Sequence, residues 1–103
     1  MQTTAIIKQV ELEAVGDPAA AREALAELMR QTRAEPGCIL FEIHEHHGNS
    51  SRFSLWEHFA DQAAFDQHLA EAHTQAFFEG GWTRLVQRQD LRLLSTKAYP
   101  ETV

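Results

Sequence analysis

With a single cysteine, Cys38, the chain cannot form an internal disulfide. It also lacks any apolar run long enough to cross a bilayer, and nothing in it reads as a signal peptide. A reducing cytoplasm is therefore the expected location. Positive charge is scarce: nine Lys and Arg stand against fifteen Asp and Glu, a net charge of −6 with histidines neutral. That balance argues against a nucleic-acid surface and against a polybasic membrane patch. Internal repeats, linkers and low-complexity stretches are missing, so residues 1–103 are expected to form one domain. Gly-rich phosphate loops, nucleophile elbows and paired zinc motifs are missing too.

What remains is an ordinary globular composition, 44% hydrophobic and 23% charged, with room for a modest core. Histidine is the exception. Four of the six, His44, His46, His47 and His58, fall in one apparent hairpin, and His68 and His73 share a helical stretch.

The apolar pattern divides the chain into alternating elements. Thr4 to Ala14 alternates with Ile6, Val10 and Leu12 on one face, which predicts a strand. Gly16-Asp17-Pro18 supplies a turn, an N-cap and a proline at the first helical position. The helix carries Ala21, Leu25, Leu28, Met29 and Thr32 as one stripe and is expected to stop at Glu35-Pro36-Gly37. Ile39–His46 and Arg52–Phe59 read as two strands around a Gly48-Asn49-Ser50 turn. If Ile39, Phe41 and Ile43 are to share a face with Phe53, Leu55 and Phe59, odd residues must pair with odd ones. Asp61 caps a second helix bearing Ala64, Phe65, His68 and Leu69; the pattern resumes after Ala72 with His73, Ala76 and Phe77. Gly80-Gly81 loosens the chain before Trp82, Leu85 and Val86, and Asp90–Tyr99 is expected to be the last strand.

This order predicts an α+β, ferredoxin-like βαββαβ domain with helices on one face of an antiparallel sheet. The other face would carry Leu40, His44, Ser54, Trp56 and His58. An open sheet presenting that tryptophan would be adhesive, so a second subunit is expected to cover it, closing a dimeric α/β barrel across a two-fold axis.

Several residues are candidates for chemistry. Parity places Glu57 on the helix side among Phe53, Leu55 and Phe59, where a carboxylate must be protonated, paired or facing a polar cavity. A structural salt bridge would account for it equally well. His68 lies on the apolar stripe of the second helix and faces the same sheet, so the two could form an acid/base pair. The alternative is a core histidine satisfied by a backbone carbonyl. His73 would line the pocket mouth or cap a helix, and Lys8 is in phase with Ile6, Val10 and Leu12. His44 and His46 share a strand face, with His58 or Glu42 as further ligands, but no spacing matches a metal motif. No metal is assigned. Cys38 is expected to act as a small buried hydrophobe.

The ordered set Glu35-Pro36-Gly37-Cys38, Phe41-Glu42-Ile43-His44, Arg52-Phe53-Ser54-Leu55-Trp56-Glu57, Asp61-Gln62-Ala63-Ala64-Phe65, His68-Leu69, His73 and Phe77 resembles the antibiotic-biosynthesis-monooxygenase superfamily, which includes quinol monooxygenases. The resemblance implies a dimeric α/β barrel with a pocket between each sheet and its helices. It further implies oxidation of phenolic or quinol substrates by molecular oxygen, often without metal or flavin. The family's glutamate falls on Glu57 and its helical histidines on His68 and His73. Two positions depart from the pattern: Phe59 stands where tryptophan is common, and Leu55 where some oxygenases carry asparagine. Chemistry based on an asparagine–tryptophan pair, and haem degradation with it, is disfavoured.

The expectation is thus a cofactor-independent monooxygenase of a small aromatic substrate. Glu57 and His68 would move protons, and His73 would be a polar group of the pocket. Phe41, Phe53, Phe59, Phe65 and Phe77, with Lys8, would hold the ring. Relatives with other chemistries leave two rivals, an acid/base isomerase or lyase and a non-catalytic ligand-binding stress-response module. Dependence on oxygen separates the first rival, and absence of any turnover the second.

Overall fold

A computed structural model describes residues 4–94. The elements run β1 (Ile6–Ala14), α1 (Pro18–Thr32), β2 (Cys38–His46), β3 (Asn49–Phe59), α2 (Gln62–Ala70), α3 (Ala72–Gly80) and β4 (Thr83–Leu91). The strands form one antiparallel sheet in the order β2-β3-β1-β4, with the helices against one face, a ferredoxin-like arrangement.

Local chemistry sets the boundaries. The Asp17 carboxylate accepts from the Ala19 amide at 3.0 Å, and Pro18 follows in the first turn of α1. Ala21, Leu25, Leu28 and Thr32 are the buried stripe of that helix, with Met29 packed beside it. The helix closes at Thr32, earlier than expected, and tighter turns carry the chain through Glu35: the Ala34 amide donates to the Gln31 carbonyl and the Glu35 amide to Thr32. Gly37 then passes so close to Ala64 of α2 that a Cβ would overlap it, which fixes the turn against the second helix.

The hairpin has the expected parity, since Phe41 faces Glu57, Ile43 faces Leu55 and Glu45 faces Phe53. Its turn is tighter than expected. β3 begins at Asn49, and Gly48 alone takes the left-handed conformation, at φ 84°. A register shift between Cys38 and Leu40 makes Ile39 the extra residue. Ile39 therefore leaves the core face and is 59% exposed, while Cys38 packs against the core.

The last strand is the main correction. It runs over Thr83–Leu91, pairing with β1, and Arg92–Leu94 have left the sheet. The remainder of the expected Asp90–Tyr99 strand lies outside the described residues. Among the described residues β4 pairs on one side only, and a register shift between Glu11 and Leu12 leaves Val86 as an extra residue. Thr83 and Leu85 face the helices before this bulge, and Arg88 and Asp90 after it, so no single alternation spans the strand.

A continuous helix was not formed after Asp61. Glu71 is extended, with ψ 144°, and separates α2 from α3. Asp61 caps α2 by accepting from the Ala64 amide at 2.8 Å. The core between sheet and helices contains Val10, Leu12, Leu25, Phe41, Leu55 and Phe59, with Phe53 beneath α1. No helix among the described residues is long and apolar enough to cross a membrane.

Candidate functional site

Between the sheet and α2–α3 lies a cavity of about 350 Å3. Its walls are mostly apolar, from Phe41, Leu55, Phe65, Phe77 and Trp82, with Lys8, Glu57, His68, Thr74 and Arg88 as the polar groups. Strand parity brings Lys8 and Glu57 to this side as direct neighbours across β1 and β3. Helical spacing brings Phe65 and His68 down from α2.

Glu57 is the strongest electrostatic feature. Burial pushes its carboxyl from the ordinary 4.5 up to about 7, although the charges of Lys8 and Arg88 pull it down. It makes no hydrogen bond or ion pair within the described residues. Lys8 turns to Asp90, 2.5 Å away, and its ammonium lies 4.9 Å from the centre of the Phe65 ring. The same contact holds the exposed Asp90 carboxyl below its usual range.

His68 and Glu57 thus line one cavity, as expected, but they are not partnered. The carboxylate that holds His68 is Glu35. Its Oε2 is 2.9 Å from His68 Nδ1 and 2.5 Å from His73 Nε2. Side-chain exposures of 7%, 5% and 13% for Glu35, His68 and His73 make this a nearly dry cluster. Thr74 Oγ1 is a more distant neighbour of His68 Nδ1, at 3.4 Å. The His68 ring is wedged among aromatics, 4.8 Å from Phe59 and 5.7 Å from Phe41, centre to centre.

Three expected site residues stand elsewhere. His73 points at Glu35 and borders a smaller cleft beside α1, because the break at Glu71 turns α3 away from the line of α2. Phe53 lies under α1 with Leu25, Met29 and Ile43. Phe59 is fully buried behind His68, so it backs the imidazole and does not touch the cavity. Lys8, Phe41, Glu57, Phe65, His68 and Phe77 all reach the cavity, joined by Arg88, Trp82 and Thr74, which the sequence had not marked.

The hairpin histidines are engaged on the opposite face. His46 Nε2 is 2.7 Å from Ser54 Oγ and 3.1 Å from Glu11, and His44 meets Glu42 at 3.1 Å. They converge on no common point with His58. The described residues that come closest to a metal donor set are Glu35, His68 and His73, whose donor atoms all lie within 4.8 Å of one another. Both nitrogens lie at hydrogen-bond distance from one oxygen, Glu35 Oε2.

Comparison with known proteins agrees with this architecture. Among solved structures the chain is similar to the protein PA3566 of Pseudomonas aeruginosa, at 26% identity and a TM-score of 0.83, covering 92% of this chain and 99% of that one. It is also similar to the protein SO0527 of Shewanella oneidensis, at 28% identity and TM-score 0.72, with 87% and 89% covered. The fold is shared with SnoaB, a cofactor-independent oxygenase of Streptomyces nogalater, at 12% identity and TM-score 0.77, with 93% and 99% covered. No curated protein matches the sequence. Residues 9–80 match the family model for antibiotic biosynthesis monooxygenase, and that stretch holds α1, the hairpin, Glu35, Glu57, His68 and His73. The chain belongs to the antibiotic biosynthesis monooxygenase family.

Proposed function

We propose that the protein is a monooxygenase that uses molecular oxygen on a small electron-rich aromatic substrate, a quinol, phenol or anthrone, without metal or flavin. The observation that carries this is the cavity itself: aromatic walls sized for a ring, with an imidazole and a carboxyl of raised proton affinity opening into it. Family membership and the fold shared with a cofactor-independent oxygenase support the same reading.

Phe41, Phe65 and Phe77 would receive the ring and exclude water around it. His68 takes the phenolic proton through Nε2, which has no hydrogen-bond partner among the described residues. The resulting anion passes one electron to oxygen, and the radical pair recombines at a ring carbon to give a peroxide. Glu57 in its protonated form supplies a proton to the departing hydroxyl as the O–O bond breaks. His68 returns its proton to the peroxide anion before this cleavage, and the Glu57 carboxylate then takes the hydrogen of the ring carbon as a proton. The carbon becomes a carbonyl, so one oxygen atom enters the quinone product and the other leaves as water. Lys8 and Arg88, on the sheet side, favour the substrate anion electrostatically.

The decisive measurement is oxygen consumption with a panel of hydroquinones, phenols and anthrones. One oxygen molecule should disappear for each quinone formed. Turnover that persists without oxygen would favour the isomerase or lyase, and absence of turnover across the panel would favour a binding module.

The proposal includes a homodimer and, on the strength of the lone cysteine, a cytoplasmic setting. The sheet face away from the helices carries Trp56, 39% exposed, and beside it the row Leu40, His58, Ile7 and Leu91. A second copy packed there would bury this patch. Sedimentation at micromolar concentration should give a dimer, and Trp56→Asp should drive it toward monomer by forcing a charge into a dry contact. A monomeric wild type overturns this part.

A further inference from the structure

We propose that Glu35 is a positioning residue that fixes His68 in the tautomer with its proton on Nδ1, so that Nε2 faces the cavity as a proton acceptor. The proposal rests on His68 being the base in the function above. Three separate pieces of chain meet to build this clamp.

The first is the Glu35-Pro36-Gly37 turn. Proline holds the preceding residue out of the helical region, and the close approach of Gly37 to Ala64 seats the turn against α2. Backbone bonds on both sides, from the Glu35 amide to Thr32 and from the Cys38 amide to Glu35, pin the residue that carries the carboxylate. The second is the last turn of α2, which brings His68. The third is α3. In one continuous helix, residues five apart point about 140° away from each other. The extended Glu71 between the two helices removes that divergence, and His73 reaches the same oxygen as His68.

The direction of the hydrogen bonds follows from chemistry. An ionised carboxylate only accepts, so each nitrogen facing Glu35 Oε2 must carry a proton: Nδ1 of His68 and Nε2 of His73. A neutral His68 then bears its lone pair on Nε2. Packing among Phe41, Phe59 and Phe65 prevents the ring from turning over to exchange the two nitrogens. Without Glu35, the lone pair would be shared between the two positions, and only one of them serves the cavity. His73, as second donor, keeps the carboxylate in place and does not itself touch substrate.

The test is a long-range nitrogen–proton correlation spectrum of the full-length, 15N-labelled protein at neutral pH. The wild type should show a protonated Nδ1 and a bare Nε2 for His68, and a protonated Nε2 for His73. In Glu35→Leu, which removes the acceptor but keeps the bulk, His68 should move toward the opposite tautomer. On the best substrate of the panel, that variant's kcat should fall about 10²–10⁴-fold with KM within a few-fold, as for a base held in the wrong tautomer. If Glu35→Leu does not fold, the wild-type spectrum still decides. A bare Nδ1 on His68, a doubly protonated His68, or stoichiometric zinc or iron held by the cluster in purified protein overturns the proposal. Failure of the oxygen panel would leave the spectrum unchanged, so the two ideas fail separately.

Discussion

Replacing His68 with glutamine should lower kcat on the phenol and anthrone panel by about 10²–10⁴-fold, the usual contribution of a positioned general base. His68 is buried, and its ring fills the space between Phe41, Phe59 and Phe65 at the floor of the cavity. A glutamine amide can still donate to Glu35 from that position, so the polar cluster keeps a partner and the domain should remain folded. The amide has no affinity for a phenolic proton, so the chemical step loses its acceptor. Binding by the aromatic walls should be little affected. Rates, KM and thermal midpoint measured together separate these effects. A variant that keeps wild-type kcat would move the role of base to Glu57.

The second large effect is on stability. Folding raises the Glu57 carboxyl from 4.5 to about 7, so between those values the folded protein holds a proton that the unfolded chain has released. The contribution of Glu57 to stability then falls as pH rises through this window and levels off above about 7. At roughly 1.4 kcal/mol per unit, the loss is about 3 kcal/mol. Glu57→Gln has no proton to lose. Its stability relative to wild type should therefore improve by about that amount between pH 4.5 and 8, as read by denaturant unfolding at each pH. Parallel curves for the two proteins would show that Glu57 is solvated in the folded state. If the prediction holds, the wild type retains at neutral pH a carboxyl that costs it stability, a cost expected of a functional group.

Much of this was legible in the chain because the packing rules are local. Period-two alternation sets the parity of β2 and β3, and that parity alone puts Glu57 under the helices. The stripe Ala21, Leu25, Leu28, Thr32 likewise predicts the buried face of α1. The failures coincide with irregular backbone. One extra residue moved Ile39 out of the core, and another at Val86 hid β4 behind a broken alternation. Glu35 was read as part of a helix stop and as one piece of the family pattern, but not as a partner for the histidines, because Glu-Pro-Gly is a strong terminator. A signal was nevertheless present. Glu35 stands three residues beyond Thr32, in phase with the buried stripe, and a carboxylate in that phase needs an inward partner. The interruption before Ala72 marks the break at Glu71, but the angle at which it turns α3, and so the meeting of both histidines on Glu35, is not set by periodicity.

The bulge at Val86 also bears on how such a domain can acquire new substrates. Without that extra residue, Leu12 and Ala14 would face Val86 and Arg84, and a guanidinium would enter the cavity where Leu85 and Thr83 now stand. With it, Arg84 turns outward to pair with Glu13, while Arg88 beyond the bulge still faces in. A one-residue insertion or deletion in this edge strand therefore exchanges the chemical character of one wall and spares β1, β3 and the Glu35 cluster. Under the proposed function, one wall of the cavity can therefore change its character while Glu57 on β3, His68 on α2 and the Glu35 turn stay where they are.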